Sequence, residues 1–110
     1  MNNSLQAVSS GQGKDVILLH GLFGQGSNLR GIARALEPHF RVHCLDLPDH
    51  GRSRWLSSAS LEAYSDEVLK WMNGRQICKS HMIGHSLGGK VAMQLALSDA
   101  ERLKRLVVAD

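Results

Sequence analysis

Short runs rich in apolar residues alternate with amphipathic stretches along the chain. Four of these runs have the length of buried strands and are bounded by glycine or polar residues: 16–19, 41–45, 81–84 and 106–109. Residues 16–19 form a continuous apolar run, which is typical of a strand that is covered on both faces. The pattern therefore predicts four short strands.

The stretches between these runs predict three helices. The first places apolar residues at the i, i+3, i+4 and i+7 spacing, between a possible cap at Ser27 and a stop at Pro38. The second begins at Ser60, a good capping residue, and ends at Gly74. The third covers residues 87–97.

Regular alternation of strand and helix predicts an α/β fold: a mostly parallel sheet with helices on both faces. In such sheets, ligands bind beyond the carboxyl ends of the strands. The residues that follow those ends are 21–24, 46–53, 85–87 and 110. The residues that could take part in catalysis or ligand binding all lie in these four segments. We therefore expect one functional site at this edge of the sheet.

The segment 84–88 reads Gly-His-Ser-Leu-Gly, which matches the G-x-S-x-G pattern of a nucleophile elbow. A serine between an apolar strand and an apolar helix must occupy a tight turn, and flanking glycines avoid collisions there. The turn would expose Ser86 at the start of the helix, where backbone N–H groups and the helix dipole favour negative charge. The alternative is a glycine-rich junction with an incidental serine. Neither a P-loop nor a dinucleotide fingerprint fits the glycine spacing.

Three motifs together resemble those of the α/β-hydrolase superfamily: HGLFG at 20–24, DLPDHGRS at 46–53 and GHSLGGK at 84–90. The resemblance extends from about residue 16 to residue 110 and is strongest to bacterial esterases and their mitochondrial relatives. It implies a carboxylic ester hydrolase that acts on a small-molecule ester or thioester, with Ser86 as nucleophile and the N–H groups of Leu22 and Leu87 as oxyanion hole. His20 and His85 would be structural, no metal or other cofactor is implied, and four loop residues would stabilise the turn after the second predicted strand: Asp46, Asp49, His50 and Ser53.

The resemblance also implies an acid and a base. Asp110, at the end of the fourth predicted strand, would be the acid, and the alternative is an ordinary strand-end aspartate. The family's histidine follows the acid, so we expect residues 1–110 to be a partial hydrolase domain that is nearly inactive alone. Residues 105–109 would then form an exposed apolar edge, open to a complementing chain or to self-association. A non-catalytic, hydrolase-like module that binds a small molecule or a partner protein, or half of a two-chain protein, is the competing hypothesis.

Composition and charge bear on nucleic-acid binding, on secretion and membrane insertion, and on the state of the cysteines. The formal net charge is +3, but the basic residues are scattered and only 5 % of residues are aromatic, which argues against nucleic-acid binding. The first fifteen residues lack the apolar run of a signal peptide, and no run is long enough to span a membrane. Cys44 and Cys78 are expected to be buried free thiols in a cytoplasmic protein.

Overall fold

A computed structural model describes residues 5–20, 29–47 and 60–109. These ranges form a five-stranded sheet whose strands are β1 (Ala7–Gly11), β2 (Lys14–Leu19), β3 (Phe40–Leu45), β4 (Ser80–His85) and β5 (Leu103–Ala109). Their order across the sheet is β1-β3-β2-β4-β5, and β2 to β5 are parallel. The predicted α/β class and the four predicted strands are confirmed, each strand being somewhat longer than its apolar run.

The strand β1 was not predicted by the apolar pattern. It pairs antiparallel with β3, so Ser9 lies opposite His43 and Val8 lies opposite Cys44. Its sequence, AVSSG, is short and polar because it lies at the edge of the described sheet, with several residues in solvent. The fold is therefore a mixed sheet with one antiparallel edge.

Within the described ranges three α-helices cover the sheet, as predicted: α1 (Arg30–Leu36), α2 (Leu61–Gly74) and α3 (Leu87–Ser98). The hydroxyl oxygen of Ser60 accepts a 3.0 Å hydrogen bond from the N–H of Ala63, which confirms the predicted cap of α2. The predicted cap of α1, Ser27, lies outside the described residues. None of the helices in the described ranges is both long and apolar enough to cross a membrane.

Apolar side chains form a core layer on each face of the sheet. The larger layer packs α2 and α3 against Ile17, Leu19 and Met82, and the smaller one packs α1 against Val16 and Leu18. Residues 16–19 of β2 thus alternate between the two faces and are all buried, which is why this part of the strand is a continuous apolar run. Because helices pack on both faces of the sheet, the strands and their carboxyl ends are held in fixed positions.

The strand β5 forms the other edge of the described sheet. Val107 is 54 % exposed and Val108 is 42 % exposed, although both belong to an apolar strand. The exposed apolar edge predicted for residues 105–109 is present in this part of the chain. That a complementing chain or a second copy covers this edge stays a prediction.

The two cysteines differ in burial, and the prediction is correct for only one of them. Cys44 is a buried free thiol on β3, whereas Cys78 is an exposed free thiol between α2 and β4. The prediction for Cys78 was wrong because β4 begins only at Ser80, so Cys78 belongs to the surface segment before it.

This difference predicts selective thiol modification. Burial raises the pKa of the Cys44 thiol, which leaves less thiolate to react. We expect a soluble disulfide reagent to modify Cys78 in the folded chain at least ~100-fold faster than Cys44, with both reacting at similar rates in urea. Absorbance of the released thiolate measures the rates, and the Cys78→Ser variant should lose the fast phase. A fast phase that survives in that variant would contradict the assignment.

Candidate active site

Ser86 occupies a sharp turn between strand β4 and helix α3. Its backbone has φ 56° and ψ −114°, a positive φ that a residue other than glycine adopts at a cost of about 1–3 kcal/mol. The strand ends at His85 and the helix begins at Leu87, so a single residue makes the transition. Ser86 is exposed at the carboxyl edge of the sheet. This is the geometry that the G-x-S-x-G pattern predicted.

Backbone hydrogen bonds hold this strained turn on both sides. The N–H of Ser86 donates to the carbonyl of Ala109 at the end of β5, at 2.9 Å. The carbonyl of Ser86 accepts from the N–H of Lys90 in the first turn of α3, at 3.1 Å. Sequence reasoning did not single out Ala109, since a pairing between neighbouring strand ends leaves no signature in its residue type. The end of β5 is thereby tied directly to Ser86.

The Ser86 side chain makes no capping hydrogen bond to α3. A serine at the N-cap commonly bonds a first-turn N–H, which would occupy its oxygen. Here the hydroxyl does not occupy those N–H groups, and the first N–H groups of α3 lack partners within the helix. The first turn contains no acidic residue, so the positive end of the helix dipole is not offset there. The arrangement favours an anion beside Ser86.

Two glycines permit the turn because backbone fills the space that a side chain would need. A Cβ on Gly84 would lie 2.5 Å from the carbonyl oxygen of Gly88 and 2.6 Å from the Cα of Gly89. A Cβ on Gly88 would overlap the carbonyl oxygen of Leu19 and lie 2.6 Å from that of His20. Helix α3 therefore packs directly on β4 and on the end of β2, which sets the position of Ser86 relative to both strands.

His20, which follows β2, has a structural contact. It is 1 % exposed, and its Nε2 accepts a 2.8 Å hydrogen bond from the N–H of Leu47. This bond ties the end of β2 to the segment that follows β3, and it gives Nε2 of His20 a structural partner. His85 is exposed at the end of β4.

The other predicted site residues divide between described and undescribed segments. Leu87, a predicted oxyanion donor, is the first residue of α3 and lies directly after Ser86. Asp46 is buried, and its N–H donates to the carbonyl of Gln6 at 2.9 Å. The remaining predicted residues lie outside the described ranges: Leu22, Asp49, His50, Ser53 and Asp110.

Comparison with known families agrees with this geometry. The model of the alpha/beta hydrolase fold family matches residues 15–110. The chain therefore belongs to the α/β-hydrolase fold family. The predicted membership is confirmed.

Individual relatives are esterases and lipases by name. A pimeloyl-[acyl-carrier protein] methyl ester esterase of Vibrio vulnificus is 39 % identical over 107 residues, which is 97 % of this chain and 40 % of the relative. An sn-1-specific diacylglycerol lipase of Xenopus laevis is 41 % identical over 100 residues, 89 % of this chain and 32 % of the relative. The solved structure of a marine microorganism esterase superposes with a TM-score of 0.95 at 34 % identity, covering 99 % of this chain and 42 % of that one. The chain spans about 40 % of the length of the curated esterases that it matches.

Proposed function

We propose that this chain carries the nucleophile of a carboxylic ester hydrolase, and that Ser86 is that nucleophile. The observation that carries the proposal is the elbow itself: an exposed serine with φ 56°, at the first turn of α3, whose hydroxyl does not cap the helix. Strain of this kind persists only where the surrounding structure enforces it, and it concentrates at functional sites.

The proposed reaction is acyl transfer through Ser86. Its Oγ attacks the ester carbonyl, the N–H groups of Leu87 and Leu22 stabilise the oxyanion, and the alcohol leaves. Water then releases the acid from the acyl-enzyme. The position of Leu87 at the start of α3 supports its part in this scheme. The part given to Leu22 rests on the resemblance of the HGLFG motif alone.

We further propose Asp110 as the acid of the triad. Ala109 accepts a hydrogen bond from the N–H of Ser86 through its carbonyl oxygen, and Asp110 is the next residue in the sequence. This position in the sequence supports the proposal. The base in this scheme is a histidine outside these 110 residues, because in the family that the chain resembles the histidine follows the acid. On this proposal the chain alone is nearly inactive.

The proposed substrate class is small carboxylic esters. The names of the similar proteins specify a methyl ester of a carrier-bound acid in one case and a diacylglycerol in another, and both are carboxylic esters. The cytoplasm is the compartment that we propose, and the two free thiols support it because reducing compartments preserve them.

A mass measurement tests this proposal. The polypeptide is purified from the cells that make it, and its intact mass is recorded before and after treatment with a fluorophosphonate. We expect a mass above 12.1 kDa and an adduct on Ser86, which tryptic digestion places in peptide 80–90. Heat-denatured protein is the control and should not react there. A 12.1 kDa product without an adduct on Ser86 would refute the esterase and favour the binding-module hypothesis.

A further inference from the structure

A second serine, remote from the elbow, contacts a histidine and an aspartate. Ser9 on β1 lies 2.7 Å from Nδ1 of His43 on β3, measured from its Oγ. On the other side of the ring, Nε2 of His43 lies 2.8 Å from Oδ1 of Asp15 on β2. Three neighbouring strands thus align a hydroxyl, an imidazole and a carboxylate in one row.

The hydrogen bonds fix the direction of this row. An ionised Asp15 can only accept, so Nε2 of His43 carries the proton and donates to it. Nδ1 is then an acceptor, and Ser9 donates its hydroxyl proton to it. A nucleophile bonded to a base that is oriented by a third group is the general signature of an activated serine.

The surroundings of His43 keep it neutral and fixed. Its side chain is 1 % exposed, and burial lowers its pKa from 6.5, an effect that the Asp15 hydrogen bond and charge oppose and that Arg41 and Arg75 reinforce. The ring of Trp71 on α2 packs against it edge-on, with centroids 5.0 Å apart. At neutral pH the imidazole is therefore available to take a proton.

Ser9 itself is open to reagents. It is exposed on the edge strand β1 and borders a surface concavity of about 310 Å³, lined also by Ser10, residues 11–13 and Arg41. In an antiparallel pair of strands, opposite residues alternate between hydrogen-bonded and non-hydrogen-bonded pairs. Gln6 and Asp46 are a hydrogen-bonded pair, because the N–H of Asp46 donates to the carbonyl of Gln6. Ser9 and His43, three positions further along, are therefore a non-hydrogen-bonded pair. The N–H of Ser9 consequently points away from β3, toward the outer edge of the described sheet, where it can meet an oxyanion.

We propose that Ser9 is a second activated serine, which accepts an acyl group from activated aryl esters independently of Ser86. Ser9 Oγ attacks the ester carbonyl carbon while its proton passes to Nδ1 of His43. The bond to the aryl oxygen breaks, and the phenolate leaves and takes that proton. The products are acyl-Ser9 and a phenol. With one backbone donor at the oxyanion, we expect a single acylation and no turnover.

The Ser86→Ala variant of the full chain isolates this reaction, so its failure is separate from any failure of the proposed esterase. The protein is incubated with 4-nitrophenyl acetate, and acetyl groups are located by fragmentation of tryptic peptide 1–14, which contains Ser9 and Ser10. We expect Ser9 to be acetylated at least ~100-fold faster than Ser10, the matched neighbour, since general-base catalysis contributes about 10²–10⁴. Equal rates at the two serines would overturn the proposal.

Two variants separate activation from a structural role. His43→Gln should lower the Ser9 rate to that of Ser10. Asp15→Asn, at a position 27 % exposed, is the milder change and should lower the rate at least ~10-fold while the circular dichroism spectrum is unchanged. The acetylation rate of Ser9 should rise with pH and reach a plateau, with its half-maximal value at a pH below 6.5. In Asp15→Asn this midpoint should lie at a still lower pH, because the carboxylate of Asp15 raises the pKa of His43. A pH-independent rate, or one that Asp15→Asn leaves unchanged, would overturn the proposal.

Discussion

Replacement of Gly88 by alanine is expected to lower the free energy of unfolding by about 3 kcal/mol or more, a large part of the 5–15 kcal/mol typical of a domain. In an ordinary helix the same change stabilises by about 1 kcal/mol. Here the new methyl group would overlap the carbonyl oxygen of Leu19 and lie 2.5 Å from its carbonyl carbon. Both atoms belong to the backbone of a central strand, which cannot move without disturbing β3 and β4.

Urea unfolding followed by circular dichroism measures this effect, and the chain supplies matched controls. Gly31 on α1 has no atom within 4 Å of a built Cβ, so Gly31→Ala should stabilise the chain slightly. Gly89→Ala should fall between the two, because its Cβ would first meet the end of the Val108 side chain, 2.8 Å away. Equal midpoints for Gly88→Ala and Gly31→Ala would show that α3 does not pack on β2 in this way.

The elbow could be predicted from the sequence because its causes are local. A serine flanked by glycines, between an apolar strand and an apolar helix, leaves few other backbone paths, and Ser86 adopts the positive φ that follows. Helix α2 was predictable for the same reason, since its cap and its apolar stripe are encoded within a few residues. The roles proposed for Leu22 and Asp110 stay predictions.

The contacts of β1 could not be predicted in this way. Ser9 and His43 are 34 residues apart in sequence, and His43 and Asp15 are 28 apart. Ser9 meets His43 because β1 pairs antiparallel with β3 rather than with β2, its neighbour in sequence, and His43 meets Asp15 because β3 pairs with β2. A polar edge strand has no apolar periodicity from which it could be predicted. Without β1, the sequence offered no partner for His43, which was only one polar residue within a predicted strand.

Replacement of Ser86 by alanine is expected to lower ester turnover by about 10⁶, the effect of removing a nucleophile from a triad. The measurement needs a complete hydrolase, and a chimera supplies one: this chain takes the place of the matched 107 residues of the Vibrio vulnificus esterase. Steady-state hydrolysis of 4-nitrophenyl butyrate is recorded for the chimera, its variants and the chain alone. A chimera whose turnover survives Ser86→Ala would refute the proposed nucleophile.

The same chimera tests the acid. Asp110→Asn should reduce turnover by about 10⁴ with little change in KM, because an amide no longer holds the histidine in the tautomer that accepts the serine proton. Asp99→Asn is the matched control, since Asp99 follows α3 at the end away from Ser86 and should change turnover less than about twofold. The chain alone should hydrolyse no faster than the Ser86→Ala chimera, as a serine without its base is a poor nucleophile. Full turnover in Asp110→Asn would place the acid elsewhere and leave Asp110 as an ordinary strand-end residue.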